Sequence, residues 1–465
     1  MNFWNFQRIP ADRTAVVNHK DGNEYTYGQL QEQITKFSAQ LQLFKDKSLG
    51  FILCTNQVGS IVSYLGALQS GHAPCLLANQ IEVELFNNLL DQYAPDWICA
   101  PRESIYNYDG YVLVYEYSDY QFLTKKSKDR NSPIHAELAL LLTTSGTTGS
   151  PKLVRLSYEN LQANASSIAE YLELSHTEKP ITTLPMQYSY GLSVINSHLQ
   201  CGATILLTDE SIVSKEFWGF LNHNEATSIA GVPYIYQMLK RLGFERMDVP
   251  SIKKMTQAGG RLDLALQKHF ADLAKEKDYK FYVMYGQTEA TARMSFIPPH
   301  QISSKIGSIG ISIPNGSLSL DHEQQLIYEG PNVMLGYAEC REDLNKGDEL
   351  KGKLFTGDIA EIDEDGYFYI IGRKKRFIKL FGLRINLDDI EKILERQFKQ
   401  VCYAVGNDSK MYIFVENEEL CQPISKVIIE KFNLHPTSFK VIHITDAPRL
   451  ENGKVNYKAL LESVV

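Results

Sequence analysis

The sequence contains a run of hydroxyl-bearing residues and glycines that suits the binding of an anion. It is the decapeptide TTSGTTGSPK at 143–152, directly after the apolar segment LALLL at 138–142. Glycine permits positive φ, so successive backbone N–H groups can point toward one anion. The hydroxyls are further donors, and the final lysine adds charge for phosphate oxygens. The residues of this candidate phosphate loop are Thr143, Thr144, Ser145, Gly146, Thr147, Thr148, Gly149 and Lys152.

Two other interpretations of this decapeptide are weaker. A Walker loop is excluded, because no Gly-Lys-Ser/Thr sequence follows its second glycine at the required spacing. A flexible polar loop would have the same composition. An apolar strand that leads straight into the run favours phosphate binding instead.

Several later segments also combine glycine with aromatic, acidic and basic residues. They are AGG (258–260), YGQTE (285–289), FTGD (355–358) with the later Arg373, RFIKLFGLRIN (376–386) and PRLENGK (448–454). Taken alone, each could be a turn or a solvated patch, and the basic run 373–376 could be a localisation signal. Those interpretations do not explain the order and spacing of the segments.

The elements that must position these segments alternate between strands and helices. Short apolar runs predict strands, whereas apolar residues at helical spacing, such as Leu30, Ile34, Phe37 and Leu41, predict helices. Predicted strands include 50–54, 96–100, 137–144, 203–209 and 280–286, and predicted helices include 157–174 and 263–277. This alternation predicts an α/β fold with mainly parallel sheets flanked by helices.

The character of the sequence changes near the basic run 373–376. An apparent strand, YFYIIG, ends just before it, and an amphipathic helix is predicted at 386–398. The acids in the first turn of that helix are favoured by its dipole. We therefore predict a large N-terminal domain, 1–374, and a small α+β C-terminal domain, 375–465.

Composition bounds the class of protein. A chain of 465 residues exceeds one ordinary domain, and 44% hydrophobic with 22% charged residues is typical of a soluble globular protein. A net charge of −8 argues against a nucleic-acid partner. The seven cysteines lack any CxxC pair, which predicts free thiols in a reducing compartment. With no secretory leader and no apolar stretch long enough to span a membrane, we expect a cytoplasmic protein.

The candidate motifs, in their order along the chain, resemble those of the adenylate-forming superfamily. That superfamily includes acyl-CoA synthetases, peptide-synthetase adenylation domains and firefly-type luciferases, and the resemblance covers essentially the whole chain. It implies that a carboxylic acid is activated by ATP to an acyl-adenylate, with release of pyrophosphate, and is then transferred to a thiol. It also implies a requirement for Mg²⁺, which prefers carboxylate and phosphate oxygens.

The resemblance implies roles for the residues around the nucleotide. Ala258, Gly259 and Gly260 would pack beside adenine, and Tyr285, followed by Gly286 and Gln287, would stack on it. Thr288 would contact the α-phosphate, and Glu289 would bind magnesium. Asp358 and Arg373 would lie at the ribose.

The resemblance also implies a mobile C-terminal domain with its hinge at Lys375. Lys454 would bridge the carboxylate and the α-phosphate in one orientation. In the other orientation Lys379 and Gly382 would serve thioester formation, with the glycine leaving room for a pantetheine arm. Phe381 replaces a residue that is polar or basic in several relatives, and the small domain is shorter than usual, which leaves the thiol acceptor open.

The acyl pocket is the part that the sequence defines least. The resemblance would line it with Tyr188, Ser189, Tyr190, Gly191, Val232 and Arg293. The polar side chains among them favour a hydroxylated, amino or otherwise functionalised acid over a long alkyl chain. The alternative is that both tyrosines pack in the core and Arg293 is a surface residue. No aspartate stands where it would bind an α-amino group, so activation of an amino acid is unsupported.

Several functions remain open at this level. The acceptor is coenzyme A or the phosphopantetheine of a carrier protein, and base rates favour coenzyme A. Light emission shares the first half-reaction. A catalytically silent nucleotide-binding scaffold is disfavoured, because residues needed only for chemistry, including Lys152 and Lys454, are present. An ATPase or kinase is disfavoured by the missing Walker pattern, and the sequence carries no signature of oligomeric state.

Overall fold

The computed structural model of the chain describes residues 2–126, 132–143, 152–373, 376–380, 383–407, 409–432, 434–450 and 453–464. The chain divides into two compact units. Unit 1 comprises Met1–Ser317 and Tyr328–Leu354, and unit 2 comprises Leu318–Ile327 and Phe355–Val465. The predicted domains, 1–374 and 375–465, stay a prediction, and Lys375 at their boundary lies outside the described residues.

Strands occur in both units, from near the N-terminus to near the C-terminus. They are β1 Thr14–Asn18, β2 Glu24–Thr26, β3 Leu49–Cys54, β4 Ala73–Ala78, β5 Trp97–Pro101, β6 Tyr111–Tyr117, β7 Tyr120–Lys125, β8 Leu138–Thr143, β9 Leu153–Ser157, β10 Pro180–Ile181, β11 Ile205–Leu207, β12 Ser228–Gly231, β13 Lys254–Gln257, β14 Lys280–Tyr285, β15 Ser295–Phe296, β16 Ile311–Ser312, β17 Ser317–Leu320, β18 Gln325–Glu329, β19 Gly336–Ala338, β20 Lys353–Ile362, β21 Phe368–Arg373, β22 Phe377–Leu380, β23 Leu383–Asn386, β24 Cys402–Gly406, β25 Met411–Val415 and β26 Phe439–His443.

The helices lie between these strands. They are α1 Tyr27–Leu41, α2 Val58–Gln69, α3 Val83–Tyr93, α4 Tyr158–Tyr171, α5 Ser189–Gln200, α6 Lys215–His223, α7 Pro233–Arg241, α8 Leu264–Glu276, α9 Leu387–Phe398, α10 Cys421–Phe432 and α11 Tyr457–Glu462. Short 3₁₀ helices include Thr288–Ala290 and Arg341–Asn345.

Two large sheets form the framework of unit 1. The first has the order β16-β15-β14-β13-β12-β10-β11-β1-β2, and the second has the order β19-β9-β8-β4-β3-β5-β7-β6. The pairs from β14 to β1 in the first sheet are parallel, as are those joining β8, β4, β3 and β5 in the second. Antiparallel strands close the edges. The predicted α/β fold is confirmed.

The helices of unit 1 bury the apolar faces that their spacing predicts. In α1 the buried residues include Leu30, Ile34, Phe37 and Leu41, which belong to one core cluster with strand residues such as Ile52. Thr26 caps this helix in a capping box with Gln29, so the helix begins where its apolar periodicity begins. The predicted strand 280–286 and helix 157–174 are observed as β14 and α4.

One buried arginine fixes the edge of the second sheet. Arg155, in β9, has a fully buried side chain that forms an ion pair with Glu349. Its guanidinium also donates to the carbonyl oxygens of Tyr337 (3.1 Å), Gly347 (3.3 Å) and Leu335 (3.4 Å), and to that of Lys346. These bonds hold β19 antiparallel to β9, with Gly336 opposite Arg155. We call this set of contacts the Arg155 clamp.

Unit 2 is built from smaller sheets. β20 pairs antiparallel with β21, β22 with β23, and β24, β25 and β26 form a three-stranded sheet. Arg376 binds Asp388 and Glu391, and its guanidinium lies 4.3 Å from the centroid of the Tyr457 ring. Because these partners lie on α9 and α11, Arg376 ties these two helices together.

Two further expectations concern cysteines and membranes. All seven cysteines are free thiols, as the absence of CxxC pairs predicted. Within the described residues, none of the helices has the length and apolar character needed to cross a bilayer.

We expect Arg155→Met to lower the free energy of unfolding of unit 1 by about 3 kcal/mol, because it leaves several inward-facing carbonyl oxygens without a donor. Glu349→Gln should cost less than about 1 kcal/mol, since Glu349 is half exposed and water can solvate what remains. Denaturant titration followed by tryptophan fluorescence reports on unit 1 alone, because Trp4, Trp97 and Trp218 all lie there. Equal losses for the two variants would show that the ion pair with Glu349, and not the hydrogen bonds to carbonyl oxygens, stabilises this edge.

Candidate active site

The candidate phosphate loop connects two neighbouring antiparallel strands. β8 ends at Thr143 and β9 begins at Leu153, and these two residues are direct partners in the sheet. The framework therefore fixes both ends of the loop. Thr144, Ser145, Gly146, Thr147, Thr148 and Gly149 lie outside the described residues, and their contacts with an anion stay a prediction.

Lys152, at the exit of this loop, lies beside β19. Its Nζ is 2.5 Å from the Glu339 carboxylate and 5.7 Å from the centroid of the Tyr337 ring. The Tyr337 hydroxyl in turn donates to Oε1 of Glu289 over 2.8 Å. Burial and the Glu289 carboxylate raise the pKa of Tyr337 well above its ordinary value, so the phenol keeps its proton and donates it. The structure thus brings Lys152 and Glu289 to one place through a strand that is distant in sequence.

The segment 285–289 leaves the carboxyl end of β14 and turns sharply. A Cβ on Gly286 would lie 1.8 Å from the carbonyl oxygen of Ala292, so only glycine fits there. The 3₁₀ helix Thr288–Ala290 follows, and the N–H of Met334 donates to the Glu289 carbonyl oxygen over 2.9 Å. Thr288 and Glu289 are half-buried at the edge of the sheet.

The predicted adenine segment and acyl pocket meet at Gly259. This glycine has φ of +82°, and a Cβ on it would lie 2.4 Å from the Tyr188 hydroxyl and 3.0 Å from Val232 Cγ1. At the residue after Tyr188, Ser189 Oγ lies 3.2 Å from Thr288 Oγ1. The segment carrying the predicted acyl pocket therefore contacts the segment predicted to bind the α-phosphate.

Arg293 is buried, so the part of the alternative that placed it on the surface is wrong, whereas Tyr190 is 3% exposed and packs in the core as that alternative held. Arg293 is 2% exposed, and its guanidinium lies 4.9 Å from the centroid of the Tyr190 ring. Nη1 contacts the Tyr171 hydroxyl at 3.1 Å and the Met284 sulfur at 3.3 Å. Burial raises the pKa of Tyr190 to about 12, and the charge of Arg293 acts in the opposite direction. The Tyr190 hydroxyl lies 2.8 Å from Thr256 Oγ1.

Unit 2 contains the predicted ribose pair. Asp358 and Arg373 are opposite one another in β20 and β21, with Nε of Arg373 3.0 Å from Oδ1 of Asp358. The Asp358 side chain is 3% exposed, whereas that of Arg373 is 64% exposed. The arginine therefore compensates a buried carboxylate from the solvent side.

The predicted catalytic loop near the C-terminus is a tight turn of unit 2. The N–H of Leu450 donates to the Lys454 carbonyl oxygen over 2.8 Å, and Gly453 has φ of +76°. Lys454 is half-buried. Lys379 lies in β22, and its side chain, like Lys375 and Gly382 as a whole, lies outside the described residues.

Sequence inspection missed Tyr337, Glu339 and Arg155. None of them belongs to a recognisable motif, and the contacts of Tyr337 with Glu289 and of Lys152 with Glu339 join distant parts of the chain. The only local signal was an arginine within the apolar strand LVRLS, where a charge needs a partner.

The described residues hold no ready-made metal cage. Nowhere in the described ranges do three or more acidic, histidine or cysteine side chains converge on one point. Mg²⁺ is usually held by one or two carboxylates together with substrate phosphates. Glu289, half-buried and beside Lys152 and Tyr337, fits the first of those ligands.

Comparisons with known proteins identify the family. A family model described as AMP-binding enzyme matches residues 3–338. A 2-succinylbenzoate–CoA ligase from Bacillus cereus is 30% identical over 414 residues, which cover 84% of this chain and 82% of that protein. A D-alanine–D-alanyl carrier protein ligase from Staphylococcus haemolyticus is 25% identical over 490 residues, covering 99% and 98% of the two chains.

The fold is that of a solved enzyme. The o-succinylbenzoate CoA synthetase from Bacillus subtilis, in complex with its acyl-adenylate intermediate, superposes with a TM-score of 0.79 at 20% identity. The match covers 99% of this chain and 98% of that one. The same enzyme has been solved with ATP and a magnesium ion, and that structure matches with a TM-score of 0.75 at 20% identity, covering 99% of each chain.

We expect Gly259→Ala to destabilise unit 1 by about 1–3 kcal/mol, because a Cβ at positive φ is strained and this one overlaps the Tyr188 hydroxyl. Gly260→Ala is the matched control: its Cβ would lie 3.2 Å from Pro233 Cγ, an overlap that a small shift relieves. Adding Tyr188→Phe to Gly259→Ala should recover part of the loss, measured as a coupling energy by denaturant titration. If the double variant shows no coupling, Tyr188 is not what confines Gly259.

Proposed function

This chain belongs to the AMP-binding enzyme family and is an AMP-forming acid–thiol ligase, and from that premise we propose how its residues divide the reaction. A carboxylate is a poor electrophile, so the enzyme first lets its oxygen attack the α-phosphorus of ATP and expels pyrophosphate. A thiol then attacks the mixed anhydride, and AMP leaves. Phosphoryl transfer of this kind needs positioning and neutralisation of charge more than covalent help.

The observation that carries the proposal is the contact between Ser189 and Thr288. It joins the end of the acyl-pocket segment to the threonine assigned to the α-phosphate. The acid carboxylate and the α-phosphorus would therefore meet at this contact, where adenylation requires them. Tyr285 is assigned to adenine. The backbone at Gly259 and Gly260, also assigned to adenine, lies beside Tyr188 and Val232 of the proposed acyl pocket.

The phosphates of ATP would be held from the side of β19. Lys152, at the loop exit, would bind phosphate oxygens, and Glu289 would hold the magnesium ion, which neutralises charge on the phosphates when bound. The role of Tyr337 is to fix the carboxylate of Glu289 by donating a hydrogen bond to one of its oxygens. Glu289 then keeps its second oxygen for the metal.

Unit 2 would supply the remaining groups. Asp358 would accept hydrogen bonds from the ribose hydroxyls, with Arg373 holding the carboxylate from the outside. Lys454, whose carbonyl oxygen accepts a hydrogen bond from the N–H of Leu450, would stabilise the charge that develops between the carboxylate and the α-phosphate. Rotation about Lys375 would then replace Lys454 by Lys379 and Gly382 for the thiol step.

We assign coenzyme A as the thiol, because the relative with 30% identity is a CoA ligase. A carrier-protein phosphopantetheine is the second candidate, favoured by the D-alanyl carrier protein ligase that matches along 99% of this chain. The acid is a functionalised one, since the segment assigned to its pocket carries the polar Ser189 and Tyr190, with Arg293 packed against Tyr190.

Exchange of labelled pyrophosphate into ATP tests the first half-reaction. A panel of alkyl, hydroxy, aromatic, amino and dicarboxylic acids should give exchange with at least one class of acid, and adding coenzyme A or a pantetheinylated carrier identifies the acceptor. Tight ATP binding without exchange for any acid would contradict the proposal and favour a silent nucleotide-binding protein.

We expect Lys454→Ala to lower acid-dependent pyrophosphate exchange by about 10²–10³-fold, because a cation aimed at developing charge is lost. Thioester formation from a supplied acyl-adenylate should be largely spared, since Lys454 has no part in that step. Lys458→Ala, which removes an exposed lysine of α11 paired with Glu462, is the control for net charge. Equal loss of both half-reactions in Lys454→Ala would contradict this division of labour.

Tyr337→Phe should weaken ATP binding in the presence of Mg²⁺ about three- to tenfold, the effect of losing one hydrogen bond to a carboxylate. Binding of ATP in EDTA should change less, because Glu289 then has no metal to hold. Calorimetric titration measures both affinities without turnover. Tyr25→Phe removes a similar phenol–carboxylate bond, 3.0 Å from Tyr25 Oη to Asp21 Oδ2, in a different part of unit 1 and is the control. Tighter Mg²⁺-dependent binding in Tyr337→Phe would show that the phenol competes with the metal.

A further inference from the structure

Arg293 differs from the other buried arginines of the described chain in lacking an acidic partner. Three described arginines are less than a tenth exposed: Arg155 pairs with Glu349, and Arg341 pairs with Asp96 at 2.8 Å. Arg293 contacts the Tyr171 hydroxyl, the Met284 sulfur and the face of the Tyr190 ring, and no described carboxylate lies within ion-pair distance of it. Its Nε is also without a hydrogen-bond partner among the described atoms.

An unpaired guanidinium in this position is costly. Arginine cannot lose its proton in a protein, so burial cannot be relieved by neutralisation. The π face of Tyr190 and the Tyr171 hydroxyl recover part of the lost hydration, but neither carries a full negative charge. A ligand that brings a negative group would recover more, because a guanidinium binds a carboxylate through two parallel hydrogen bonds.

Nearby titratable groups do not supply the missing charge. Glu178 is buried in the same unit, but it already pairs with Lys254 and accepts a hydrogen bond from Thr227. Burial lowers the pKa of His198 to about 4, so this neighbour is uncharged at neutral pH.

Arg293 lies against Tyr190, a residue assigned to the proposed acyl pocket. The ring of Tyr190 covers the guanidinium, and the Tyr190 hydroxyl lies beside Thr256. The adjacent residue, Ser189, reaches Thr288, where the reacting carboxylate is placed. A group on the far end of the acid therefore approaches Arg293 on the side remote from the chemistry. Because Arg293 is 2% exposed, the ring of Tyr190 must turn for that group to arrive.

We infer that the substrate is a dicarboxylic acid, whose second carboxylate, the one that is not adenylated, binds the guanidinium of Arg293. This inference rests on the proposed function, because it uses the same acyl pocket. It distinguishes between the chemistries of the relatives: 2-succinylbenzoate carries two carboxylates, whereas the ammonium group of an amino acid would be repelled by Arg293.

Pairs of acids that differ by one carboxylate test the inference. Suitable pairs are 2-succinylbenzoate with 3-benzoylpropionate, and glutarate with butyrate. We expect pyrophosphate exchange with the diacid to exceed that with its partner by at least about tenfold in kcat/KM, and Arg293→Gln to reduce this ratio toward one. Arg293→Lys should retain an intermediate ratio, because it keeps the charge but loses the fork of donors.

Arg341→Gln is the matched control, because it removes a buried arginine whose charge is already paired within the protein. It should lower stability and leave the diacid-to-monoacid ratio unchanged. Thermal unfolding gives a second readout: Arg293→Met should not lower the melting temperature of the protein without acid, yet should abolish the stabilisation that the diacid gives. A large loss of stability in Arg293→Met, with no diacid-dependent stabilisation of the unmodified protein, would show that Arg293 is a structural cation.

The possible failures are distinguishable. Exchange with monoacids that equals or exceeds exchange with their diacids, or a ratio that Arg293→Gln leaves unchanged, would overturn the inference while the proposed ligase activity stands. No exchange with any acid would overturn the proposed function itself.

Discussion

The Arg155 clamp is the interaction on which the rest of the candidate phosphate site depends. Strand β9 begins directly after Lys152 and carries Arg155 three residues later, so the strand that fixes the loop exit also carries the clamp. Arg155 holds β19 against β9, with Ala338 opposite Leu153. Tyr337 and Glu339 are the residues before and after Ala338 in this strand. Tyr337 then reaches Glu289 and Glu339 reaches Lys152. One buried side chain thus fixes two charged groups that belong to different motifs.

The two buried arginines in unit 1 that lie nearest to the proposed chemistry use their charge differently. Arg155 directs its hydrogen bonds to carbonyl oxygens and Glu349, so its cost of burial is compensated within the protein. Arg293 faces an aromatic ring, a phenol and a sulfur, and its compensation is incomplete. Both side chains are buried, but their partners differ: Arg155 is a structural cation, whereas Arg293 keeps charge that a ligand could bind.

Much of the framework could be predicted from the sequence, because it depends on local patterns. The apolar run before Thr143 and the strand before Tyr285 are strands with the predicted motifs at their ends. The backbone of Ala292 passes so close to Gly286 that no side chain fits there, which explains the glycine of this motif. Tyr337 could not be found in this way, because its role comes from the pairing of β19 with a strand far away in sequence. Arg293 was recognised as polar, but its burial depends on how α4, α5 and β14 pack, which spacing does not specify.

The hydrogen bonds that flank the predicted hinge set the cost of a rotation about Lys375. On one side, Asp358 and Arg373 are joined across β20 and β21, so they would stay together in any rotation that begins after Arg373. On the other side, Arg376 binds α9 and Tyr457, so the remainder of unit 2 would turn as one body with Lys454.

Between these two sides, the N–H of Arg373 donates to Asp388 over 2.8 Å, and Lys392 donates to the carbonyl oxygen of Ile370 over 3.1 Å. Lys392 also donates to the carbonyl oxygen of Ile371. A rotation would have to exchange these bonds for bonds to water, at about 1.5–3 kcal/mol each, because each involves a charged group. If the predicted rotation occurs, a difference of a few kcal/mol between two orientations would still leave the minor one measurably populated. The contacts of Arg376 are more numerous, since it binds Asp388, Glu391 and the Tyr457 ring, and they would keep the rotating part together.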